Sequence, residues 1–323
     1  MTAGDRRRDE GGRRTGRAPG TRVVDLDPGT CTVVAPRAVR AAWPAGADPG
    51  LFGPGSVSWR VHADPLMAVG GLRALLLQSL HPVVAHGFAA HSGYREDSWG
   101  RLLRTADYVA LTTFGSTGQV EAVAAHVRLA HAGSAFVDPG DGSRRRIDEP
   151  ELLLWVHVCL VDSMLAVTRR GGLALSGAEA DAYVSEQVRA AELIGVDAAV
   201  APRSRADVED YLAEVRPGLS LSRPARDAVA TVLAPPIHPL LELLTPARMG
   251  WSSLAAVAFA CLPPCARAMF PAPLRMGSAV VPQAAVTSTL RRLRRTGRGV
   301  GTLLPALASS PHQKQARRRL GLA

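Results

Sequence analysis

The sequence predicts an all-α fold, organised as a single helical domain over residues 50–297. Of the 323 residues, 47% are hydrophobic and only 5% aromatic, and the apolar residues are mainly Ala, Leu and Val. Ala and Leu are strong helix formers. The apolar segments have helical length, Gly and Pro separate them, and neither a strand–helix–strand alternation nor an internal repeat interrupts them.

The net charge of +10 is concentrated at the two ends of the chain. Residues 1–24 contribute +4 and residues 291–319 contribute +9, which leaves −3 for the rest of the sequence. The domain itself therefore gives no indication of a nucleic-acid-binding face. We expect a disordered basic tail at residues 1–22 and a second basic tail at residues 298–323, both able to make peripheral contact with a membrane surface.

Neither a targeting segment nor a disulfide framework is recognised in the sequence. No run of 18 or more uncharged apolar residues predicts a transmembrane helix, and no apolar stretch follows the Arg-rich start as a signal peptide would require. Among the four cysteines, Cys261 and Cys265 are spaced as CxxxC, without the second pair that a zinc site needs. We therefore expect a cytoplasmic protein.

The first strong helical pattern begins after Asp64, a predicted N-cap, with Pro65 at the first helical position. It continues as a nearly all-apolar helix that restarts at His81-Pro82, and a helix that is apolar all round is a buried one. Two further helices are predicted at 98–115 and 117–133. The segments before and after these helices are predicted as a short strand near residues 31–35 and a loop at 136–146.

A second buried helix is predicted from the segment DEPELLLWVHVCLVDSMLAVTRR. Asp148 is the predicted N-cap, Pro150 occupies an early helical position, and Glu151 is the capping-box acid. Further helices are predicted at 176–195, 205–216, 225–233, 237–245, 250–262 and 283–297.

Six polar residues interrupt these apolar helices: Arg101, Arg104, Thr105, Arg128, His131 and His157. Their helical spacing puts the three from GRLLRT on one face, and the two from VRLAH on another. A buried guanidinium is costly unless it is paired. The local acids are too few, and too near helix ends, to pair with every inward arginine: Glu96, Asp97, Asp107 and Glu121.

A ligand that carries carboxylates would compensate these arginines, because guanidinium binds carboxylate in a bidentate way. An apolar pocket, a histidine and carboxylate-binding arginines together provide what haem requires. Two simpler interpretations stay open. The histidines could be core residues that only hydrogen-bond a neighbouring helix, and the arginines could lie at helix ends or interfaces.

His81, His86 and His91 recur every five residues, which raises the question of a metal site. Five residues turn a helix by about 140°, so the three rings diverge and a three-histidine site is not favoured. The pair Gly70-Gly71 follows no strand, and we expect tight helix packing there instead of a nucleotide-binding turn.

The motifs GGLRALLLQSLHPVVAHGFAAHSGY, GRLLRT, VRLAH and DEPELLLWVHVCLVDSML follow one another over residues 60–170. In this order they resemble the MpaB-type oxygenases, the family that includes the latex-clearing rubber oxygenases. The resemblance implies a helical catalytic domain with a globin-like core around haem b. It also implies a haem-dependent oxygenase that acts with dioxygen on an apolar, isoprenoid or lipid-like, substrate. A non-catalytic haem-binding or sensing protein of the same fold is the alternative.

The resemblance also implies roles for individual residues. His131 would be the iron ligand, with Arg128 near the propionates and with Arg101 and Thr105 supporting the haem. His157 would be a pocket residue, and it is the second candidate for the axial ligand.

The chain departs from the family pattern on the opposite side of the haem. Arg104 stands where the rubber-cleaving members have lysine, and it is the candidate for stabilising negative charge that develops on dioxygen. Arg104 and His157 are thus the predicted catalytic residues. The family's carboxylate base has no clear counterpart, and His86 and His91 are the nearest alternatives.

Overall fold

The computed structural model describes residues 46–91, 98–138, 140–233, 247–272, 274–275, 281–297 and 311–322. These residues, all within the compact unit Val39–Ala323, form thirteen α-helices, one 3-10 helix and one small hairpin. The predicted all-α class is confirmed. The predicted N-terminal tail, the strand near residues 31–35 and the helix at 237–245 lie outside the described residues.

The helices are, in chain order, α1 (Val57–His62), α2 (Met67–Gln78), α3 (Pro82–His91), α4 (Ser98–Phe114), α5 (Thr117–His131), α6 (Pro150–Arg170), α7 (Gly177–Leu193), α8 (Arg205–Val215), α9 (Arg223–Leu233), α10 (Ala247–Ala260), α11 (Pro264–Ala268), α12 (Gln283–Thr296) and α13 (Pro311–Arg319). The 3-10 helix Arg216–Gly218 follows α8. Strands β1 (Ala135–Val137) and β2 (Arg144–Arg146) pair antiparallel between α5 and α6.

The segment at 136–146, predicted as a loop, contains most of this hairpin. The carboxylate of Asp138 accepts a hydrogen bond from the amide of Gly140, and that of Asp141 accepts one from the amide of Ser143, both at 2.8 Å. Gly142 has a φ of +74°, which glycine adopts at little cost. The turn residues seen in the sequence therefore close the chain on itself, and they bring the flanking residues into strand register.

Two predicted helix starts are wrong by one or two residues. The helix after Asp64 begins at Met67, because the Asp64 carboxylate accepts from the amide of Leu66 at 3.0 Å and pairs with Arg294 at 2.6 Å. The N-cap of α6 is Glu149 and not Asp148, whose carboxylate pairs with Arg146.

The close packing of α2 on α6 forms the centre of the fold. A Cβ built on Gly70 would lie 2.6 Å from the Sδ of Met164 and 3.4 Å from its Cα, so only glycine lets the two helices approach this closely. The tight packing predicted for the pair Gly70-Gly71 is confirmed for Gly70 but not for Gly71, where a Cβ would have its nearest contact at 4.0 Å. In α6, Trp155 is fully buried, and its indole N–H donates to the Gln78 carbonyl at the end of α2.

The predicted restart at His81-Pro82 is a bend of 104° between α2 and α3. Within the described ranges, α6 is the one helix long and apolar enough to cross a bilayer, and the bent α2–α3 pair reaches that length only when it is counted as one segment. Since 72% of the most apolar stretch of α6 is buried in the fold, and core helices pass the same test, the finding is weak evidence for a membrane span.

Helix α13 lies in the segment predicted as a basic tail. Its residue Ala316 and the following Leu320 are buried against Trp59 and Phe114. The guanidinium of Arg319 donates to the carbonyls of Asp48 and Phe114, each at 3.0 Å. This part of the segment is therefore packed against the domain.

Candidate functional site

Two cavities lie beside α4. The first, which we call the His131 cavity, has a volume of about 430 Å³ and is bounded by α3, α4, the end of α5, the hairpin and α6. The second, which we call the α2–α4 cavity, has a volume of about 460 Å³ and is bounded mainly by α2, α4 and α10. Arg104 lines both cavities.

His131 is the last residue of α5, and its ring lines the cavity named after it. The helix ends there because Ala132 has an extended backbone, and the chain then enters the hairpin, whose Phe136 forms another part of the wall. Burial lowers the pKa of His131, although the nearby charge of Asp148 acts in the opposite direction. Its ring makes no hydrogen bond to any described residue. A neutral, half-buried imidazole therefore faces the cavity.

Arg101 lies across the same cavity, on the N-terminal part of α4. Its guanidinium stacks on the ring of Phe88, with 4.6 Å between the guanidinium carbon and the ring centroid. Burial and, to a smaller extent, the charge of Arg104 lower the pKa of Arg101 to about 10. In the part of the chain that the structure describes, no carboxylate lies within ion-pair distance of Arg101. The cavity thus contains a partly buried cation that no carboxylate of the described residues pairs with.

Three of the six predicted residues do not line the His131 cavity. The hydroxyl of Thr105 donates to the carbonyl of Arg101 at 3.0 Å, and Thr105 lines the α2–α4 cavity. Arg128 is exposed, and its guanidinium donates to the carbonyl of Leu193 at the end of α7. His157 is buried in α6, and burial lowers its pKa to about 4.

A buried polar network that sequence reasoning did not find surrounds His62. The Nδ1 atom of His62 lies 2.6 Å from the hydroxyl of Thr113, and its Nε2 atom lies 3.0 Å from the hydroxyl of Tyr183. Since Thr113 donates its own proton to the carbonyl of Val109, it accepts from Nδ1–H, and Tyr183 donates to Nε2. Burial lowers the pKa of His62 to about 4, with a smaller contribution from the charge of His157. Only the tertiary packing of α1 on α4 and α7 reveals this network.

The polar groups that reach the buried part of the α2–α4 cavity all have protein partners. His62 belongs to the network just described, Asp64 bonds Leu66 and Arg294, and the amide of Gln78 donates to the carbonyl of Val156 at 2.9 Å. The remaining buried lining is apolar, from residues such as Leu72 and Trp251. This cavity therefore offers an apolar interior.

The three histidines of the α3 region make separate contacts. The ring of His81 lies 5.8 Å from that of Trp155, and Nδ1 of His86 donates to the Pro82 carbonyl at 2.8 Å. The side chain of His91 lies outside the described residues. Within the described ranges, no group of three His, Cys, Asp or Glu residues could hold a metal ion.

Comparison with known protein families gives one match. The model of the family described as "ER-bound oxygenase mpaB/B'/Rubber oxygenase, catalytic domain" matches residues 59–298. No curated protein and no solved structure matches the chain. The matched residues extend from α1 past the end of α12, so they include both cavities' helices except α13. The chain therefore belongs to the MpaB/rubber oxygenase catalytic-domain family, a family of oxidoreductase enzymes.

Proposed function

We propose that this protein is a haem b-dependent oxygenase that binds its cofactor in the His131 cavity and acts with dioxygen on an apolar, isoprenoid or lipid-like, substrate. The observation that carries the proposal is that a neutral imidazole and a guanidinium, which pairs with no carboxylate of the described residues, line one largely apolar cavity.

The residues of the His131 cavity fit haem b. A neutral imidazole is the form of histidine that ligates iron, and burial favours this form at His131. The guanidinium of Arg101 supplies the charge that a propionate carboxylate needs, and Arg104 adds a second cation on the same helix face. Apolar side chains such as Phe88, Phe136 and Val156 complete the walls. When bound, haem iron supplies the activation of dioxygen, and the protein supplies position and electrostatics.

The residues outside the cavity lining have supporting roles in this proposal. Arg128 lies one turn before His131, so its bond to the Leu193 carbonyl fixes the end of α5 and with it the position of the imidazole. Thr105 supports the backbone of Arg101. His157 follows the cavity residue Val156 in α6 and stays the second candidate for the iron ligand.

Arg104 has a catalytic role in the proposed function. In this proposal Arg104 stabilises negative charge that develops during the reaction, and its position in the lining of both cavities supports that role. The proposed location is the cell interior, with peripheral contact between the basic ends and a membrane surface.

One observation favours a second candidate function, a non-catalytic haem-binding or sensing protein. None of the described residues that line the His131 cavity is Asp or Glu, so this part of the cavity wall offers no carboxylate base. A guanidinium is a poor substitute, because arginine stays protonated in proteins.

The test begins with the purified protein supplied with haem and measures its Soret band. A Soret band is expected, and a protein that stays colourless contradicts both haem functions. Oxygen uptake and carbonyl products are then measured with squalene, with its saturated analogue squalane as the control. Uptake with squalene alone supports the oxygenase, and a coloured protein that consumes oxygen with neither compound nor with other unsaturated terpenoids supports the sensing alternative.

A further inference from the structure

The outer wall of the α2–α4 cavity includes a helix that the family match does not reach. Pro311 and Gln313, both in α13, line this cavity, whereas the match ends at residue 298. The space is therefore partly shaped by residues outside the part of the chain that the family model matches.

Several contacts hold α13 in this position. Ala316 and Leu320 are buried against Trp59 and Phe114. On the cavity side, the imidazole of His312 lies 2.7 Å from the carboxylate of Asp107, a residue of α4 that also lines the cavity. Together with the two carbonyl bonds of Arg319, these contacts fix the helix beside the C-terminal half of α4.

The chemistry of the cavity favours an apolar molecule. Its buried polar groups are already hydrogen-bonded within the protein, so a polar ligand would gain few bonds there and would lose its own hydration. The polar residues that are exposed or half-exposed lie on α4 and α13, including Arg104, Thr105 and Gln313. The interior is thus suited to a hydrocarbon chain, and the polar residues are confined to one side.

We propose that the α2–α4 cavity binds the hydrocarbon chain of the substrate, with α13 as its outer wall and with Arg104 between it and the His131 cavity. Identification of the bound molecule as the substrate rests on the proposed oxygenase function, whereas the binding of an apolar chain does not. A volume of about 460 Å³ lies in the range of small-molecule binding sites.

The binding test uses the fluorescent apolar probe N-phenyl-1-naphthylamine, with squalene as competitor. Leu75 is half-buried and lines the cavity, so Leu75→Trp fills the space and is expected to weaken probe binding at least tenfold. Leu103 lines the rim of the cavity and is 40% exposed. Leu103→Trp should therefore also weaken probe binding, and it does not alter the packing of the buried core. If both variants bind the probe as tightly as the unaltered protein, the site is elsewhere.

A matched substitution in the other cavity separates this proposal from the proposed function. Val156 is half-buried and lines the His131 cavity, so Val156→Trp should diminish the Soret band and leave probe affinity unchanged. A colourless protein that binds the probe, and loses it in Leu75→Trp, would contradict the haem function but support the apolar site. Probe binding that is lost in Val156→Trp but kept in Leu75→Trp would overturn the assignment of the cavity.

The role of α13 is tested by Ala316→Glu, which places a charge in its buried contact with the domain. Probe affinity should fall at least tenfold, while circular dichroism and the Soret band stay unchanged. Lys314→Glu is the control, because it brings in the same residue at an exposed position of the same helix. Equal probe affinity in the two variants would show that α13 is not a wall of the site. If Ala316→Glu loses its fold, Gln313→Trp tests the same wall from the cavity side.

Discussion

The two cavities beside α4 have similar volumes, about 430 and about 460 Å³, but they differ in what their polar groups still require. In the α2–α4 cavity, the buried imidazole of His62 has a protein partner on each ring nitrogen. In the His131 cavity, the imidazole of His131 bonds no described residue, and no described carboxylate balances Arg101. Cavity size therefore gives no reason to assign different ligands to the two cavities, whereas the hydrogen bonding of their polar groups supports the two different ligands that we propose.

The largest expected effect is on haem retention, and it comes from removing the imidazole of His131 from the His131 cavity. His131→Ala should weaken haem retention about 100-fold or more, because it deletes the proposed iron ligand and not merely a supporting group. The measurement is the Soret absorbance after gel filtration. His157→Ala is the control and should keep the band. Loss of colour in His157→Ala, with colour kept in His131→Ala, would exchange the roles of the two residues.

His62, whose two ring nitrogens are both hydrogen-bonded in the α2–α4 cavity, should make the free energy of unfolding depend on pH. The pKa of His62 is about 4 in the folded protein and 6.5 ordinarily, so below pH 6.5 the unfolded chain binds a proton that the folded one does not. The free energy of unfolding should therefore fall as the pH drops from about 6.5 to about 4, by up to about 3 kcal/mol from this residue.

Urea unfolding at several pH values tests this expectation. His157 has a similarly lowered pKa, so His62→Gln should remove about half of the decrease that the two residues cause. His126→Gln, a change at an exposed histidine, should leave the decrease intact. An unchanged profile in His62→Gln would show that His62 is not buried as described.

Adjacent glycines distinguish the packed and the open side of α2. Gly70→Ala should cost about 1–3 kcal/mol, because the new methyl group meets Met164 at 2.6 Å. Gly71 lines the α2–α4 cavity, where an added Cβ has its nearest contact at 4.0 Å, so Gly71→Ala should stabilise the helix by about 0.5–1 kcal/mol. Thermal unfolding measures both, and equal effects would contradict the packing.

An effect of about the same size as that of Gly71→Ala is expected for Arg101, whose guanidinium pairs with no carboxylate of the described residues. Arg101→Leu should raise the stability of the haem-free protein by about 1 kcal/mol, or about 2–4 °C in Tm, while it weakens haem retention. Arg145→Leu is a control of opposite sign, because Arg145 pairs with Glu149 and Glu151 and its loss should destabilise. A haem-free Arg101→Leu protein that is less stable than the unaltered one would mean that Arg101 has a structural partner.

Helix length and apolar periodicity were sufficient to predict most of the long helices. The helix predicted at 176–195 is α7, and its Ser176 forms a capping box with Glu179 that the local sequence contains. Helix α13 was not predicted, because its sequence PHQKQARRR has little apolar periodicity. It is held by Ala316, Leu320 and Arg319, whose partners lie more than 200 residues earlier in the chain, beyond the reach of a local pattern.

The residues of the candidate site were predicted only in part, because helical spacing was the only guide to their positions. Spacing along α4 put Arg101 and Arg104 on one face, and both line the His131 cavity. The same spacing grouped Thr105 with them, but the helix turns it toward the other cavity. Arg128 shares a helix face with His131, yet its long side chain reaches the carbonyl of Leu193 on α7. Spacing fixes the direction of a Cβ atom, whereas the end of a long side chain is fixed by the surrounding tertiary structure.

In the proposed arrangement, the two cavities belong to parts of the molecule that differ in their relation to the family match. The imidazole and guanidinium of the His131 cavity lie on α4 and α5, inside the family match, whereas one wall of the α2–α4 cavity lies beyond it. Exchange of residues 311–322 for other sequences could therefore alter substrate preference while the oxygen chemistry stays constant. The last helix would then be a specificity module, and swapping it would retarget the enzyme without redesign of the catalytic domain.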